Sequence, residues 1–456
     1  MLIKKIISVI IVVVTTVSGV FCPIQPPSEP VENGCAPAFT GTFLQSWYSS
    51  TWDDERWEAE VEYMKDAGIE YLILQDTAEK ASRTAGSGWT VYYNSSLDEF
   101  SGAAFCPDVI EAALRHCSGS GIKVLVGLSM FDDFWTEGAI TSQYTKVCST
   151  AADMAEEIYG LYYAQYSDCF GGWYFAPEVN NMLICQLNVL GICNGINIVI
   201  NRLNSIDASL PLALSPFNSD YLSLGALDSL IDWVELLQLT NLRDGDIFAP
   251  QDAVGAKWTQ EDNLRRNWEI YRAAVDGCSA DVKLWANCEN FESSIENSFG
   301  SGIFTRPETE NTEMVTATLD RFVTQLKIAS EYCDNIITFS YNHYFSPAAV
   351  SPIYIETYKD YLANGYVLES NAPAQVPNFY KGQYDENVLL TWDEPEDDFG
   401  IAYYRICKDG EFLVRIERCF GEDNNQFYDW GADESAEYTI VAYDAAGNAS
   451  PIAIAQ

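Results

Sequence analysis

The sequence has few of the side chains on which several common site chemistries depend. Among 456 residues there are two histidines, His116 and His343, and no pair of cysteines has CxxC spacing. Paired-histidine metal sites are therefore excluded, and a Ser-His-acid triad would depend on His343. No GxSxG, GxGxxG or P-loop motif occurs. We therefore expect no metal and no cofactor.

Basic residues are also scarce, with 25 Lys and Arg against 66 Asp and Glu, for a formal net charge of −41. This charge repels nucleic acid and anionic membranes, and it favours a neutral or cationic partner. A long apolar run occurs only at the N-terminus, where MLIKKIISVIIVVVTTVSG has the pattern of a secretory signal peptide over residues 1–19. An uncleaved anchor is the alternative. We expect a secreted or cell-surface monomer with no membrane span after signal removal. Asn94 and Asn448 begin N-glycosylation sequons.

Short apolar runs alternate with amphipathic stretches through the first three quarters of the chain. The predicted strands lie at 41–47, 71–77, 123–129, 172–178, 210–217, 246–252, 283–291 and 335–345. Eight strands in βα alternation predict an α/β protein with a closed (β/α)8 barrel, a TIM barrel, over residues 38–365. An open doubly wound sheet is disfavoured because no Gly-rich phosphate loop follows the first strand.

Polar and aromatic residues cluster where the predicted strands end, which is the face that carries the active site in such barrels. Amides suit sugar hydroxyls, and aromatic rings suit the apolar faces of sugars. The candidate substrate contacts are Gln45, Trp47, Gln75, Asp76, Gln251, Asp252, Trp258, Asn287, Tyr341 and His343.

Two glutamates stand out at these tips, Glu178 after the fourth predicted strand and Glu289 after the seventh. Two carboxylates across a barrel mouth can cleave a glycosidic bond, one as general acid and one as nucleophile or base. The alternative is structural, with Glu178 capping the next helix and Glu289 in an ion pair at the rim. Their placement resembles a large retaining glycosidase clan whose fourth strand carries the acid/base and whose seventh carries the nucleophile. That clan has Asn before the acid, where this chain has Pro177.

Five separated motifs carry a closer resemblance: GTFLQSW, MKDAGIEYLILQD, GWYFAPEVNN, FAPQDAVGA and LWANCENFE. Together they are similar to a bacterial (β/α)8-barrel family of glycosyl hydrolase type that is classed as a domain of unknown function. The resemblance implies action on carbohydrate and carries over Gln45, Gln75, Glu178, Gln251, Asp252, Asn287 and Glu289. The hypothesis is a secreted glycoside hydrolase, retaining, with Glu178 as acid/base and Glu289 as nucleophile or base. The alternative is a non-catalytic carbohydrate-binding or adhesion protein on an inactive barrel.

Two linkers and a smaller domain are predicted on either side of the barrel. Residues 20–37 read as a Pro-rich linker and residues 366–377 as a second linker. Residues 378–456 resemble a fibronectin type III domain, with a Trp392 strand, an acidic Pro loop, a Tyr-rich central strand and a late Tyr438 before AYDAAGNAS. That resemblance implies a spacer or accessory module without chemistry of its own.

Thirteen cysteines in a secreted chain predict disulfides. Barrel helices run antiparallel to the strands, so like ends of neighbouring helices meet and can be bridged. We expect Cys106–Cys148, Cys117–Cys169, Cys278–Cys333, Cys185–Cys193 and Cys407–Cys419. Cys22, Cys35 and Cys288 remain unassigned, with Cys288 expected to be a buried thiol. The alternative is that helix cysteines are small buried apolar groups.

Overall fold

The computed structural model describes residues 37–81, 88–131, 142–181, 188–219, 226–293, 314–384, 387–418, 425–432 and 435–456. The chain divides into two compact units: one runs up to Glu289 and includes Gln325–Ser340, and the other comprises Asn290–Thr324 and Tyr341–Gln456. The predicted signal peptide lies outside the described residues. Within those residues, no helix is long and apolar enough to cross a membrane. The predicted domain boundaries stay predictions.

The first unit contains a closed barrel of eight parallel strands, as the sequence pattern predicted. Neighbours in the barrel follow chain order, and the first and last strands close it by pairing Gly41 with Ile337 and Thr42 with Thr338. The strands are Gly41–Leu44, Tyr71–Leu74, Lys123–Gly127, Phe170–Phe175, Leu212–Leu214, Ile247–Phe248, Lys283–Glu289 and Asn335–Phe339. We call them the first to eighth barrel strands.

One apolar layer fills the inside of the barrel. Each of the eight strands contributes to it: its members include Phe43, Ile73, Leu125, Tyr174, Ala213, Ile247, Trp285 and Ile337. Because side chains alternate along a strand, these residues define which positions face the barrel axis. Their neighbours in sequence face outward and pack beneath the helices.

Helices follow most barrel strands and cover the sheet. In the first unit the longer ones are Asp54–Asp66, Val109–Cys117, Ser142–Ile158, Val189–Ile206, Ala226–Leu239 and Leu264–Asp276. Asp53 and Asp108 cap the first two by accepting hydrogen bonds from the Arg56 and Glu111 backbone amides. The helix Leu319–Ser330 begins in the second unit and ends in the first, and Ile353–Ala363 belongs to the second.

The second unit contains two antiparallel sheets that share one apolar core. The three-stranded sheet has the order Tyr380–Tyr384, Asn387–Thr391, Gln426–Trp430, and the four-stranded sheet has the order Glu411–Glu417, Tyr403–Lys408, Tyr438–Tyr443, Ala453–Ile454. Val388 and Leu390 from one sheet and Tyr404 and Ile406 from the other lie in the same buried cluster. The prediction of additional β structure after the barrel is thus confirmed.

Three of the predicted disulfides are wrong. The six cysteines assigned to them are free thiols: Cys106, Cys117, Cys148, Cys169, Cys278 and Cys333. The Cys169 sulfur lies 3.3 Å from the Leu114 carbonyl oxygen, and a Cβ added at Gly195 would come within 2.8 Å of the Cys148 sulfur. Four of the six, Cys117, Cys148, Cys169 and Cys333, are buried as small apolar groups, which was the alternative interpretation.

Two further disulfides were expected, Cys185–Cys193 and Cys407–Cys419. Cys185 and Cys419 lie outside the described residues, so these two pairings stay predictions.

Candidate active site

A polar layer lies directly beyond the apolar layer, at the C-terminal end of the barrel strands. Positions two or four residues after the apolar layer face the same axis because side chains alternate along each strand. These positions carry Gln45, Gln75, Glu178, Ser215, Gln251, Asn287 and Glu289. Two carboxylates and four amides therefore converge on the face that carries the active site in this fold.

Glu178 lies three residues after the end of the fourth strand, and its carboxylate is close enough to the Tyr174 phenol to influence it. Its surroundings are poorly solvated, and this burial raises the pKa of Glu178 to about 7. A hydrogen bond from the side chain of Gln251 acts in the opposite direction and favours the ionised form. Burial, together with the charges of Glu178 and Asp76, holds the pKa of the Tyr174 phenol well above its usual value.

Gln251 connects Glu178 to residues that follow the fifth strand or lie on the seventh. Its side-chain nitrogen also donates to the Ser215 carbonyl oxygen at 3.3 Å, and its backbone forms a β-bridge with Asn287. The Asn287 side chain donates to the Ser215 hydroxyl at 3.1 Å, while its Oδ1 has no hydrogen-bond partner among the described residues. Asn287 thus presents a buried acceptor on an axis-facing position.

Glu289 ends the seventh strand and is 3 % exposed. Its Oε2 accepts a hydrogen bond of 2.7 Å from the backbone amide of Ala256, in the loop after the sixth strand. Ala253 and Lys257 in this loop have φ angles of 53° and 62°, a left-handed conformation that disfavours non-glycine residues. The loop therefore stores backbone strain where it positions Glu289.

Asp252 is 2 % exposed, and its side chain points away from the barrel axis and stabilises the backbone at Glu289. Its Oδ1 accepts from the Glu289 backbone amide at 3.2 Å, and its Oδ2 accepts from the side chain of Gln325. The thiol of Cys288 also hydrogen-bonds to this carboxylate, and burial keeps the pKa of that thiol well above its usual value. Cys288 is free and fully buried, as expected. Protein groups surround Asp252, although the sequence suggested a substrate contact there.

The other predicted contacts occupy varied surroundings in the first unit. Gln45 is half-buried and its carbonyl oxygen accepts from the Ser49 amide, whereas Trp47 beside it is 54 % exposed. Asp76 is half-buried, and its backbone carbonyl oxygen accepts a hydrogen bond from the Ser46 hydroxyl. Trp258 is half-buried and packs edge-on against Phe217, with ring centroids 5.8 Å apart.

Tyr341 and His343 belong to the second unit, in the short helix Tyr341–Tyr344. Tyr341 is fully buried. Burial lowers the pKa of His343 to about 4, so its imidazole is neutral at neutral pH. Substrate contact by these two residues stays a prediction.

Sequence reasoning missed two residues of the site, Ser215 and Gln325. Strand alternation could have identified Ser215, because it stands two residues after Ala213 of the fifth strand and so faces the axis. The sequence pattern pointed to Gln325 only weakly: this polar residue interrupts the apolar face of the helix Leu319–Ser330, three residues after the buried Phe322. In the described part of the chain, no group of three or more His, Cys, Asp or Glu side chains is placed to hold a metal ion.

Comparison with solved structures reports on the fold. A protein provisionally assigned as an alpha-L-fucosidase, from Bacteroides thetaiotaomicron, is 18 % identical with a TM-score of 0.56, over 73 % of this chain and 94 % of its own. A beta-glucuronidase from Bacteroides uniformis is 10 % identical with a TM-score of 0.42, over 91 % of this chain and 45 % of its own. A chitinase from Bacillus thuringiensis is 12 % identical with a TM-score of 0.40, over 91 % of this chain and 84 % of its own. The first of these shares the barrel fold.

No curated protein matches the sequence. A family model does, over residues 39–351, which include all eight barrel strands, the loop after the sixth strand and both tip glutamates. The chain therefore belongs to the DUF4434 family, a domain of unknown function.

Proposed function

We propose that this chain is a secreted glycoside hydrolase of the retaining type, with Glu178 as acid/base and Glu289 as nucleophile. The observation that carries the proposal is that the glutamates at the tips of the fourth and seventh strands have different surroundings. Burial gives Glu178 a pKa of about 7, which suits a proton donor at neutral pH, and a backbone amide holds one oxygen of Glu289.

In this mechanism Glu289 attacks the anomeric carbon while the protonated Glu178 donates its proton to the departing glycosidic oxygen. The sugar is then held through an ester bond to Glu289. Glu178, now ionised, takes a proton from water as the water attacks the same carbon and releases Glu289. The two inversions give net retention and return both groups to their starting states.

The substrate is a neutral or cationic poly- or oligosaccharide. Amides of Gln45, Gln75 and Gln251 line the same layer as the two glutamates, and the buried Oδ1 of Asn287 can accept a bond from a sugar hydroxyl. The net charge of −41 disfavours polyanionic glycans. Trp47, at 54 % exposure, offers an apolar face to a sugar ring.

Supporting roles fall to the remaining parts. The contacts of Asp252 with Glu289 and Gln325 favour a positioning role in place of the substrate contact that the sequence suggested. The two C-terminal sheets form a fibronectin type III-like module, a proposal supported by their shared core around Trp392 and Tyr438.

The direct test screens wild type, Glu178→Gln and Glu289→Gln against a panel of glycans and aryl glycosides. Loss of a general acid or nucleophile should lower kcat by a factor of about 10³ or more. The leaving group of a dinitrophenyl glycoside needs no protonation. On this substrate Glu178→Gln should still form the glycosyl ester and release dinitrophenol, whereas Glu289→Gln should not. Glu58→Gln, an exposed carboxylate on the helix Asp54–Asp66, is the matched control. If wild type binds glycans without cleaving any and both variants bind equally, the barrel is a non-catalytic binding protein.

A further inference from the structure

The outer face of the three-stranded sheet in the second unit carries four aromatic rings. The inner face is fixed by Val388 and Leu390, which are fully buried, so alternation turns the intervening residues outward. The outward rings are Tyr380, Tyr384, Tyr428 and Trp430. Trp430 is 76 % exposed, Tyr384 55 % and Tyr380 46 %. We call this surface the aromatic face.

The strand register places the rings side by side. Tyr384 pairs with Asn387, which pairs with Trp430, and Leu389 pairs with Tyr428. The ring centroid of Tyr428 lies 5.8 Å from that of Tyr384, and these two rings are edge-on. It lies 5.8 Å from the ring centroid of Trp430, and these two rings are stacked with an interplanar angle of 22°. A Cβ added at Gly382 would meet nothing within 4 Å, so the surface between Tyr380 and Tyr384 is open.

At the described outward positions of the three strands the aromatic face carries no formal charge, although the chain has 66 acidic residues. Its polar members are Asn387, Thr391 and Gln426, all neutral. The acid in the strand Gln426–Trp430 is Asp429, which is turned inward and accepts a hydrogen bond of 2.6 Å from the Tyr438 hydroxyl. A neutral surface on a strongly acidic protein fits a neutral partner better than a basic protein or a charged membrane.

Exposed aromatic patches of this kind mark interaction surfaces. Tyr428 and Trp430 are near parallel, and Tyr384 stands edge-on to Tyr428. Exposed rings of this kind pack on the apolar faces of pyranose rings, and neutral amides and hydroxyls bind the sugar hydroxyls. We propose that the aromatic face is a carbohydrate-binding surface for the flat chains of a neutral, equatorially linked polysaccharide such as cellulose or chitin. It would hold the enzyme on an insoluble substrate. The inference concerns binding alone and stands apart from the chemistry proposed for Glu178 and Glu289.

The test measures depletion of the full-length protein from solution by microcrystalline cellulose and by chitin particles. Wild type should bind at least one of them, and it should not bind a polygalacturonate gel, which is polyanionic. Trp430→Ala and Tyr428→Ala should each lower the partition coefficient roughly tenfold. Phe105→Ala, which removes a 51 % exposed ring from the first unit, should bind like wild type. All proteins in the assay, including the reference, carry Glu178→Gln, which prevents cleavage while binding is measured.

Three results would overturn the inference. Wild type could stay in solution with both neutral particles, or the two ring variants could bind as wild type does. Alternatively, sedimentation could show a wild-type dimer that Trp430→Ala converts to a monomer, which would make the face a contact between copies of this chain. Circular dichroism of Trp430→Ala should match wild type because the side chain is largely solvated.

Discussion

The side chain of Gln251 donates a hydrogen bond to the carboxylate of Glu178. This bond stabilises the ionised carboxylate, whereas burial favours the protonated acid, and burial has the larger effect. With a pKa of about 7, both forms of Glu178 are populated at neutral pH. A group that gives a proton in one step and takes one in the next needs both forms to be accessible.

Removing this bond should make Glu178 a weaker acid. In Gln251→Leu the alkaline limb of the kcat/KM profile should move upward by about one pH unit, because a hydrogen bond to a charged group is worth about 1.5 kcal/mol. Gln165→Leu, at an exposed site on the same unit, should leave the limb in place. A limb that moves downward would show that the Gln251 amide does not stabilise the ionised form.

The same carboxyl group should leave a signature in stability, which needs no substrate to measure. Between the usual value of 4.5 and the folded value of about 7, the native state binds more protons than the unfolded state, so stability falls as pH rises through this window. Glu178→Gln lacks this penalty and should gain about 1 to 3 kcal/mol relative to wild type between pH 4.5 and pH 7.5. Urea unfolding at several pH values measures the difference, with Glu58→Gln as control. A difference that does not change with pH would contradict a raised pKa at Glu178.

Asp252 and Gln325 should be coupled. Asp252→Asn turns an amide donor toward the donor of Gln325, and the loss should be about 1 to 3 kcal/mol of unfolding free energy. Gln325→Glu in the same chain restores an acceptor opposite Asn and should recover part of that loss. A double-mutant cycle measures this coupling. Strict additivity would mean that the two side chains do not interact in solution.

Arg415 is the centre of a buried ion cluster in the second unit. It pairs with Glu292 and Glu417, donates to the Thr316 carbonyl oxygen at 3.1 Å and lies 3.7 Å from the Tyr403 ring centroid. Arg415→Ala should cost about 3 kcal/mol, because it removes the charge that compensates two largely buried carboxylates, of which Glu292 keeps a second partner in Arg321.

The contrast with an exposed pair checks that explanation. Arg265 pairs with Glu331, each about half exposed, and Arg265→Ala should cost no more than about 1 kcal/mol. Equal losses in the two variants, measured by chemical unfolding, would show that burial of the Arg415 cluster does not set its strength.

Six cysteines should react as thiols once the protein is unfolded without reductant: Cys106, Cys117, Cys148, Cys169, Cys278 and Cys333. Alkylation followed by peptide mapping should find each of them modified. Cross-linked peptides joining Cys117 to Cys169 would instead restore the pairing that helix positions suggested.

The barrel was predictable because its strands are short apolar runs separated by helical periodicity, and that signal is local. Glu178 and Glu289 were predictable for the same reason, since a carboxylate directly after a buried run stands at a strand tip. Alternation alone also distinguishes Gln251, which faces the axis, from Asp252, which faces outward.

The remaining features depend on distances that no pattern encodes. Whether the sulfurs of Cys117 and Cys169 meet depends on how the end of the helix Val109–Cys117 lies against the turn before the fourth strand, which holds Cys169, and the order of the elements does not determine this. The contact of Gln325 with Asp252 joins residues 73 positions apart. The left-handed residues Ala253 and Lys257 break the usual preference of their residue types, as happens where surrounding contacts impose the backbone.

The measurement that tests the central claim most directly is trapping of the covalent intermediate. The protein is incubated with a panel of 2-deoxy-2-fluoro glycosides carrying good leaving groups, which slow the second step more than the first, and the digest is mapped by mass spectrometry. A retaining enzyme with the proposed roles should carry one fluoro-sugar on Glu289, and Glu289→Gln should carry none. A sugar found on another residue, or hydrolysis of the parent glycosides to products of inverted configuration, would contradict the account.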